Sequence, residues 1–207
     1  MLVTGKLSNI SYQRYLNLQS KLRNKRREII VFLEHPFTIT AGINYKKTNL
    51  LVSEDFLSQQ KVDLVLVPRG GDFTAHEPGQ LVIYPHIDLP KRKLTISSFS
   101  EIFLSSIQFS IYSTWNLETT VNPDSPGLYL KNNPNKKLVS IGLYCKSFFS
   151  SFGAALNIQN SLQTFRLINP CGGDSKNIVS IKSLGLNPNL EKNFIEIFIR
   201  QFLKIIV

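Results

Sequence analysis

Cysteine is scarce: only Cys145 and Cys171 occur in 207 residues, too few for the disulfide framework that staples small secreted domains. No apolar run approaches the ~20 residues that a membrane-spanning helix needs. The opening stretch MLVTGKLSNI has no long apolar core of the kind a secretory signal carries. These absences point to a reducing, cytoplasmic setting in which a thiol stays free, and to no membrane-spanning segment. Acids are also few, 14 Asp and Glu against 24 Lys and Arg, for a formal net charge of +10. The long-range field favours an acidic partner: nucleic acid, an anionic membrane or an acidic protein. The basic runs KLRNKRR (21–27) and KRK (91–93) hold few aromatics and match no nucleic-acid module, so each alone reads as a solvated face. Metal-ligand spacing is missing too. No C-x-x-C or H-x-x-x-H pattern gathers the cysteines with His35, His76 and His86, so no metal site is expected. The glycine pair Gly70-Gly71 lies in neither G-x-x-x-x-G-K-[ST] nor G-x-G-x-x-G, and such a pair after a strand is more often a tight turn than a phosphate cradle.

What remains is the composition of a compact globular protein, 43% hydrophobic and 18% charged, and at this length one domain spanning 1–207 is expected. Tyr15, Leu18 and Leu22 share one stripe of a surface helix over 11–27, with basic residues at the end that the helix dipole favours. EIIVFLE (28–34) and VDLVLVP (62–68) are short, β-branched, apolar runs that read as buried strands. Ser53 reads as the N-cap of a short helix between them. QLVIYPHIDL (80–89) is a further strand whose second half Pro85 demotes to an edge or an exit. Ile96, Phe99, Phe103 and Ile107 predict a core-packing helix over 95–115. LYL (128–130) and KLVSIGLYC (137–145) form a hairpin across KNNPNK, and GAALNI (153–158) adds a strand. Phe194, Ile195, Phe198, Ile199 and Phe202 are the stripe of a C-terminal helix starting near Pro188. Strands crowd the middle with helices on either side, without strict βαβ alternation, so the class is α+β.

Cys171 stands in INPCGG, a turn in which little bulk shields the sulfur and backbone N–H groups can receive an oxyanion. A nucleophile suits that place, and so does a small buried hydrophobe, the more frequent fate of a free cysteine. Cys145, inside an alternating strand, reads as structural. A thiol of ordinary pKa needs a base or a cation beside it to work at neutral pH. A histidine or a lysine serves, and Lys136 and Lys137 at a strand start read locally as a solvated pair.

Taken in order, the motifs point further. RGGDFTAHEPGQLVIYP (69–85), KKLVSIG (136–142), GAALNI and INPCG resemble the signature segments of the octanoyltransferases that act in protein lipoylation, and VFLEHPFTITAG (31–42) resembles that family's first strand and turn. The likeness runs from about residue 28 to residue 173. It implies a biotin/lipoate ligase-like catalytic domain, with a mixed or antiparallel central β-sheet, a smaller sheet and flanking helices. The implied activity is acyl transfer from octanoyl-acyl carrier protein, an acidic donor, to a lysine of the lipoyl domains of 2-oxoacid dehydrogenases and the glycine cleavage H protein. No metal, nucleotide or other cofactor and no nucleic acid is implied, and a monomer is expected. Carried over residue by residue, Cys171 is the acyl-thioester nucleophile and Lys137 its partner. Arg69, Gly70, Gly71, Asp72, Phe73, Thr74, Ala75 and His76 line the acyl pocket. Ser140, Ile141 and Gly142, and Gly153, Ala154 and Ala155, are the other substrate-lining segments. Two positions depart from the family: Glu77 stands where glycine is usual, beside the pocket, and Phe152 where histidine is common. Two rivals remain: an ATP-dependent lipoate or biotin ligase, against which INPCG speaks because adenylation needs no cysteine there, and a non-catalytic binding protein on the same scaffold.

Overall fold

The computed structural model describes residues 3–7, 9–122, 125–170 and 173–206. Its centre is a seven-stranded sheet in the order β1-β2-β6-β10-β9-β8-β7. These strands are β1 (Val3–Leu7), β2 (Ile29–Leu33), β6 (Gln80–His86), β7 (Thr119–Val121), β8 (Gly127–Leu130), β9 (Asn133–Lys146) and β10 (Phe149–Asn157). Within this sheet β1 and β2 pair in parallel, and the pairs β2–β6, β6–β10, β10–β9, β9–β8 and β8–β7 are antiparallel. A small sheet of order β4-β3-β5 is built from β3 (Thr38–Ala41), β4 (Asp63–Leu66) and β5 (Phe73–His76). Among the described residues four α-helices complete the fold: α1 (Tyr12–Asn24), α2 (Glu54–Gln59), α3 (Ile96–Trp115) and α4 (Glu191–Ile206). The expected mixed sheet, smaller sheet and flanking helices are all present.

The period-2 alternation of strands decides the layering. Ile30 and Phe32 of β2, Leu81 and Ile83 of β6, and Ala154 and Leu156 of β10 enter one core with α3 and α4. Val31, Leu33, Val82, Tyr84 and Ala155 face the opposite side, where Tyr12 and Tyr15 of α1 close a second core. Phe103 meets Phe198 at 6.0 Å, Phe99 meets Phe202 at 6.3 Å and Trp115 meets Phe194 at 5.6 Å. The start of α3 therefore lies beside the end of α4, an antiparallel pair held by aromatic contacts worth ~0.5–1.5 kcal/mol each beyond area burial. Helix starts follow the capping rules: the Ser53 side chain accepts from Phe56 N–H, and Thr95 and Ser98 form a reciprocal capping box.

Four expectations need correcting. The stretch 62–68, read as a buried strand, forms β4 at the edge of the small sheet, where the strand stays partly in solvent and Leu66 is 65% exposed. Pro85 lies in an interior strand, opposite Ile30 of β2, not at an edge or exit. The chain tolerates it because the β6–β10 pairing stops at Ile83–Ala154 and resumes only at the Asp88–Phe149 bridge. Across this gap the Ser150 hydroxyl donates to the Pro85 carbonyl (2.6 Å) and accepts from Ile87 N–H (2.8 Å), so the ladder bond that proline lacks is never called for. Ile96 is 48% exposed, because it begins α3 before the helix reaches the core. The long hairpin strands also start earlier than their apolar stretches, β9 at Asn133 and β10 at Phe149, since backbone pairing continues past the buried residues.

Candidate active site

The signature stretch 69–80 is not a free loop. Ile43 N–H donates to the Arg69 carbonyl (3.0 Å), Asn44 N–H to that of Gly71 (3.1 Å) and Gly42 N–H to that of Asp72 (3.2 Å), after which the chain enters β5. Gly71 has φ 87°, a left-handed conformation that costs glycine little. Arg69 is buried and turns back over β3: its Nη2 donates to Thr40 O (2.8 Å) and Thr40 Oγ1 (2.7 Å), and its Nη1 to Gly70 O (3.0 Å). Asp72 accepts from Phe73 N–H (2.8 Å), Lys46 N–H (3.1 Å) and the Asn49 side chain. Its carboxylate thus secures the neighbouring turn.

Across from this loop, β9 and β10 pair in the register Ser140–Ala155, Ile141–Ala154 and Gly142–Gly153. Two segments separated in sequence therefore lie side by side. Glycine is needed on this strip because a Cβ at Gly153 would collide with the Ile83 carbonyl, and one at Gly142 would sit 2.8 Å from Arg69 Cδ. Strip and loop line one narrow cavity that is open to solvent at its mouth. Of the residues expected there, Arg69, Gly71, Phe73, Thr74, His76, Lys137, Ser140, Ile141, Gly142, Gly153, Ala154 and Ala155 form its wall. Gly70 and Asp72 are not among the lining residues, and Ala75 packs in the core of the small sheet. Tyr12, Tyr84, Pro126, Phe152 and Pro170 also line it. Tyr84 closes the signature and Phe152 precedes the glycine of β10, so both were within reach of motif reading. Tyr12 had no signal beyond lying one helical turn before Tyr15.

Lys137 is buried at 6% exposure, its Nζ 3.3 Å from Ser125 Oγ and 5.3 Å from the centre of the Tyr129 ring. The Tyr129 hydroxyl in turn donates to Ser125 Oγ (2.8 Å). Gly127 makes room for the lysine: a Cβ there would strike both Lys137 Cε and the Val139 carbonyl. Cys171, with Gly172, lies outside the described residues. Its neighbour Pro170 is on the wall of the cavity that holds Lys137. Cys145 pairs with Ser150 far along β9, and burial pushes its thiol pKa up, which disfavours the thiolate.

The inner wall carries the rings of Tyr12, His76, Tyr84 and Phe152 beside the Arg69 guanidinium. Burial lowers His35 to about 4 and holds His76 well below its ordinary value. Burial also pushes Tyr12 up to about 12, opposed by the Arg69 guanidinium. His35 Nδ1–H donates to the Ile10 carbonyl (2.7 Å), leaving Nε2 to accept from the Tyr84 hydroxyl (3.2 Å). The Gln80 amide donates to Ala75 O and Asn157 Oδ1, so its oxygen faces His76 Nδ1 at 2.8 Å and assigns the proton to that nitrogen. Arg69 and Lys137 are cations on the cavity wall. Such a site suits an apolar chain ending in a group that gains negative charge during reaction. Among the described residues no cluster of three His, Cys, Asp or Glu is placed to hold a metal ion.

The family model of the lipoyl protein ligase A/B catalytic domain matches residues 6–203. An octanoyltransferase of Leptospira interrogans serogroup Icterohaemorrhagiae serovar copenhageni is 54% identical over 88% of this chain and 85% of its own length. The chain belongs to the octanoyltransferase family. It is an enzyme of that type, acting in lipoate biosynthesis, and its fold is shared more widely. A lipoate-protein ligase A solved with ATP superposes with a TM-score of 0.75 at 13% identity, covering 99% of this chain and 84% of the ligase. A bi-partite lipoate protein ligase from Thermoplasma acidophilum, described with its E2 lipoyl domain, gives 0.71 at 13% identity, covering 98% and 84%. Against the octanoyltransferase pattern, Glu77 does not reach the cavity. Its carboxylate turns instead toward Asn160, Ser161 and Thr164. Phe152 does line the cavity, 1% exposed, with φ 57°.

Proposed function

We propose that the enzyme takes an octanoyl group from octanoyl-acyl carrier protein onto Cys171 and passes it to a lysine of a lipoyl domain, with Lys137 as the acid–base partner. The observation that carries this reading is that Lys137 and Pro170, the residue before Cys171, line one cavity with apolar and glycine-rich walls. In the first half the Cys171 thiolate attacks the donor thioester carbon. The tetrahedral intermediate collapses by breaking the carbon–sulfur bond to the carrier, and the Lys137 ammonium supplies the proton to the departing thiolate. In the second half the neutral amine of the target lysine attacks the acyl-enzyme. Its excess proton passes to the Lys137 amine, and the Cys171 thiolate leaves. One thioester has exchanged for another, and an amide then forms downhill, so no nucleotide is called for. The two protons of the dyad titrate as a coupled pair.

The octanoyltransferase relative supports the acyl group, and the Thermoplasma ligase described with its lipoyl domain supports the acceptor class. We read residues 1–207 as one catalytic domain acting as a monomer in the reducing cytoplasm, where Cys171 stays free. No helix among the described residues is long and apolar enough to cross a membrane. The test compares two donors with one lipoyl domain as acceptor. Octanoyl-acyl carrier protein alone should octanoylate the domain, and octanoate with ATP should not. Modification only from octanoate and ATP would make the chain a ligase and overturn the proposal.

A further inference from the structure

Glu77 takes no part in the reaction proposed above, yet its side chain is fully buried. Oε1 accepts from Asn160 Nδ2 at 3.1 Å, while Oε2 accepts from Ser161 Oγ (3.1 Å), Thr164 Oγ1 (3.2 Å) and Thr164 N–H (3.4 Å). All four donors come from the short stretch 160–164, and none carries a charge. Burying a carboxylate among neutral groups is costly unless its oxygens are well supplied with donors. The contact therefore imposes one arrangement on the stretch that supplies them.

That stretch leads to the active site. Its start is tied down by Gln159 N–H to the Gly79 carbonyl (3.0 Å) and by the Asn160 amide, which also donates to Asn157 Oδ1 (3.1 Å). Beyond Thr164 the chain makes the 3-10 turn Thr164–Leu167. It is then stitched to the turn before α2 by Leu51 N–H to Leu167 O (2.9 Å) and Asn169 N–H to Asn49 O (2.8 Å), and it reaches Pro170 on the cavity wall. On the other side Glu77 directly follows His76, itself part of that wall.

We propose that Glu77 is a positioning residue: by gripping 160–164 from the end of β5, it sets how the segment ending in Pro170 meets the cavity. The proposal rests on the acyl-enzyme reading given above. Glycine, usual at this position in the family signature, has no side chain with which to do this, so the device belongs to this chain and to relatives that share the acid.

The test combines transfer kinetics with hydrogen exchange of the 158–170 segment in Glu77→Gly, Glu77→Gln and Glu77→Asp, using octanoyl-acyl carrier protein and a lipoyl domain. Glycine and glutamine should lower kcat per folded enzyme ~10- to 100-fold, the scale of a small misplacement of reacting groups. They should leave KM for the carrier nearly unchanged and speed exchange at 160–169. Aspartate, which keeps the carboxylate, should recover part of both. Thr164→Val loses one donor and should give a smaller loss in the same direction, which keeps the test available if the glycine variant does not fold. Wild-type kcat in the glycine or glutamine variant, or a loss of kcat without faster exchange, would overturn the proposal. If wild type itself transfers nothing, the acyl-enzyme reading fails, and exchange then decides separately whether Glu77 holds the segment.

Discussion

Lys137 on β9 and Pro170, next in sequence to Cys171, line the same cavity, although one follows a hairpin and the other ends an irregular segment. The lysine is held by Ser125 Oγ at 3.3 Å and by the Tyr129 ring. Replacing Lys137 by Met preserves most of the buried stem and removes the amine. Octanoyl transfer should fall at least ~100-fold, the lower range for loss of a general acid–base group, with the melting temperature little changed. Full activity in Lys137→Met, measured as octanoylated lipoyl domain per minute, would remove the lysine from the reaction.

Phe152 packs against Tyr15, Tyr84 and Tyr144 at 6.1–6.4 Å, in a left-handed conformation rare for a bulky residue. It pairs with Leu143, six positions beyond Lys137 along β9, ~20 Å at the rise of a strand. This makes it a far wall of the cavity. Phe152→Leu should shift preference from octanoyl toward decanoyl donors. The limit is the ~0.8 kcal/mol, about fourfold, gained for each extra buried methylene. The ratio of kcat/KM for the two donors checks this, and an unchanged ratio would place the end of the acyl site elsewhere.

Acid should destabilise the fold through its buried histidines. His35 and His86 are fully buried, and burial lowers both to about 4 from an ordinary 6.5. The unfolded chain therefore binds more protons between these values. The stability each neutral ring confers is fully present above pH 6.5 and is lost as pH falls toward 4, by up to about 3 kcal/mol per histidine. Asp88, which Arg26 holds below the usual carboxylate range, adds a loss of the same sign at still lower pH. Urea titrations from pH 7.5 to 4.5 should show a falling midpoint, and His86→Leu should flatten the fall. A midpoint independent of pH would contradict the neutral burial of these rings.

The two basic runs meet in space. Arg26 grips Asp88 through two bonds of 2.6 Å, while Arg92 and Lys91 reach Glu28 at 2.9 and 3.1 Å. Arg26 also donates to Ser147 O, just past Lys146, the end of β9 nine positions, or ~30 Å, from Lys137. Lys21, Lys25 and Lys93 are exposed there. Changing these three to Glu should raise KM for the acidic carrier at low salt and leave kcat intact, because rim charges act mainly on encounter. A KM equal to wild type across 20–300 mM salt would show that this edge does not steer the donor.

The aromatic stripes of α3 and α4 were legible because helical spacing, length and burial agree: Phe99, Phe103, Phe194, Phe198 and Phe202 are all fully buried. The cavity was legible in part. The R-G-G, K-L-V-S-I-G and G-A-A-L-N segments carry their own residue patterns, and β9–β10 pairing brings the last two together. The small sheet was harder to read, since β3 and β5 are four residues each and period-2 alternation over four residues is faint. Pro85 misled because the rule concerns a missing ladder bond, and the gap that excuses it depends on Ser150, far along the chain. Glu77 was visible as a departure, but its partners at 160–164 come together only in the folded chain.

Intact-mass measurement after mixing with octanoyl-acyl carrier protein, without a lipoyl domain, tests the acyl-enzyme most directly. The wild-type enzyme should gain one octanoyl group, labile to hydroxylamine and mapped to Cys171, and Cys171→Ser should gain no thioester. A chain that gains no octanoyl mass, or a Cys171→Ser variant that still forms the thioester through Cys145, would contradict the mechanism.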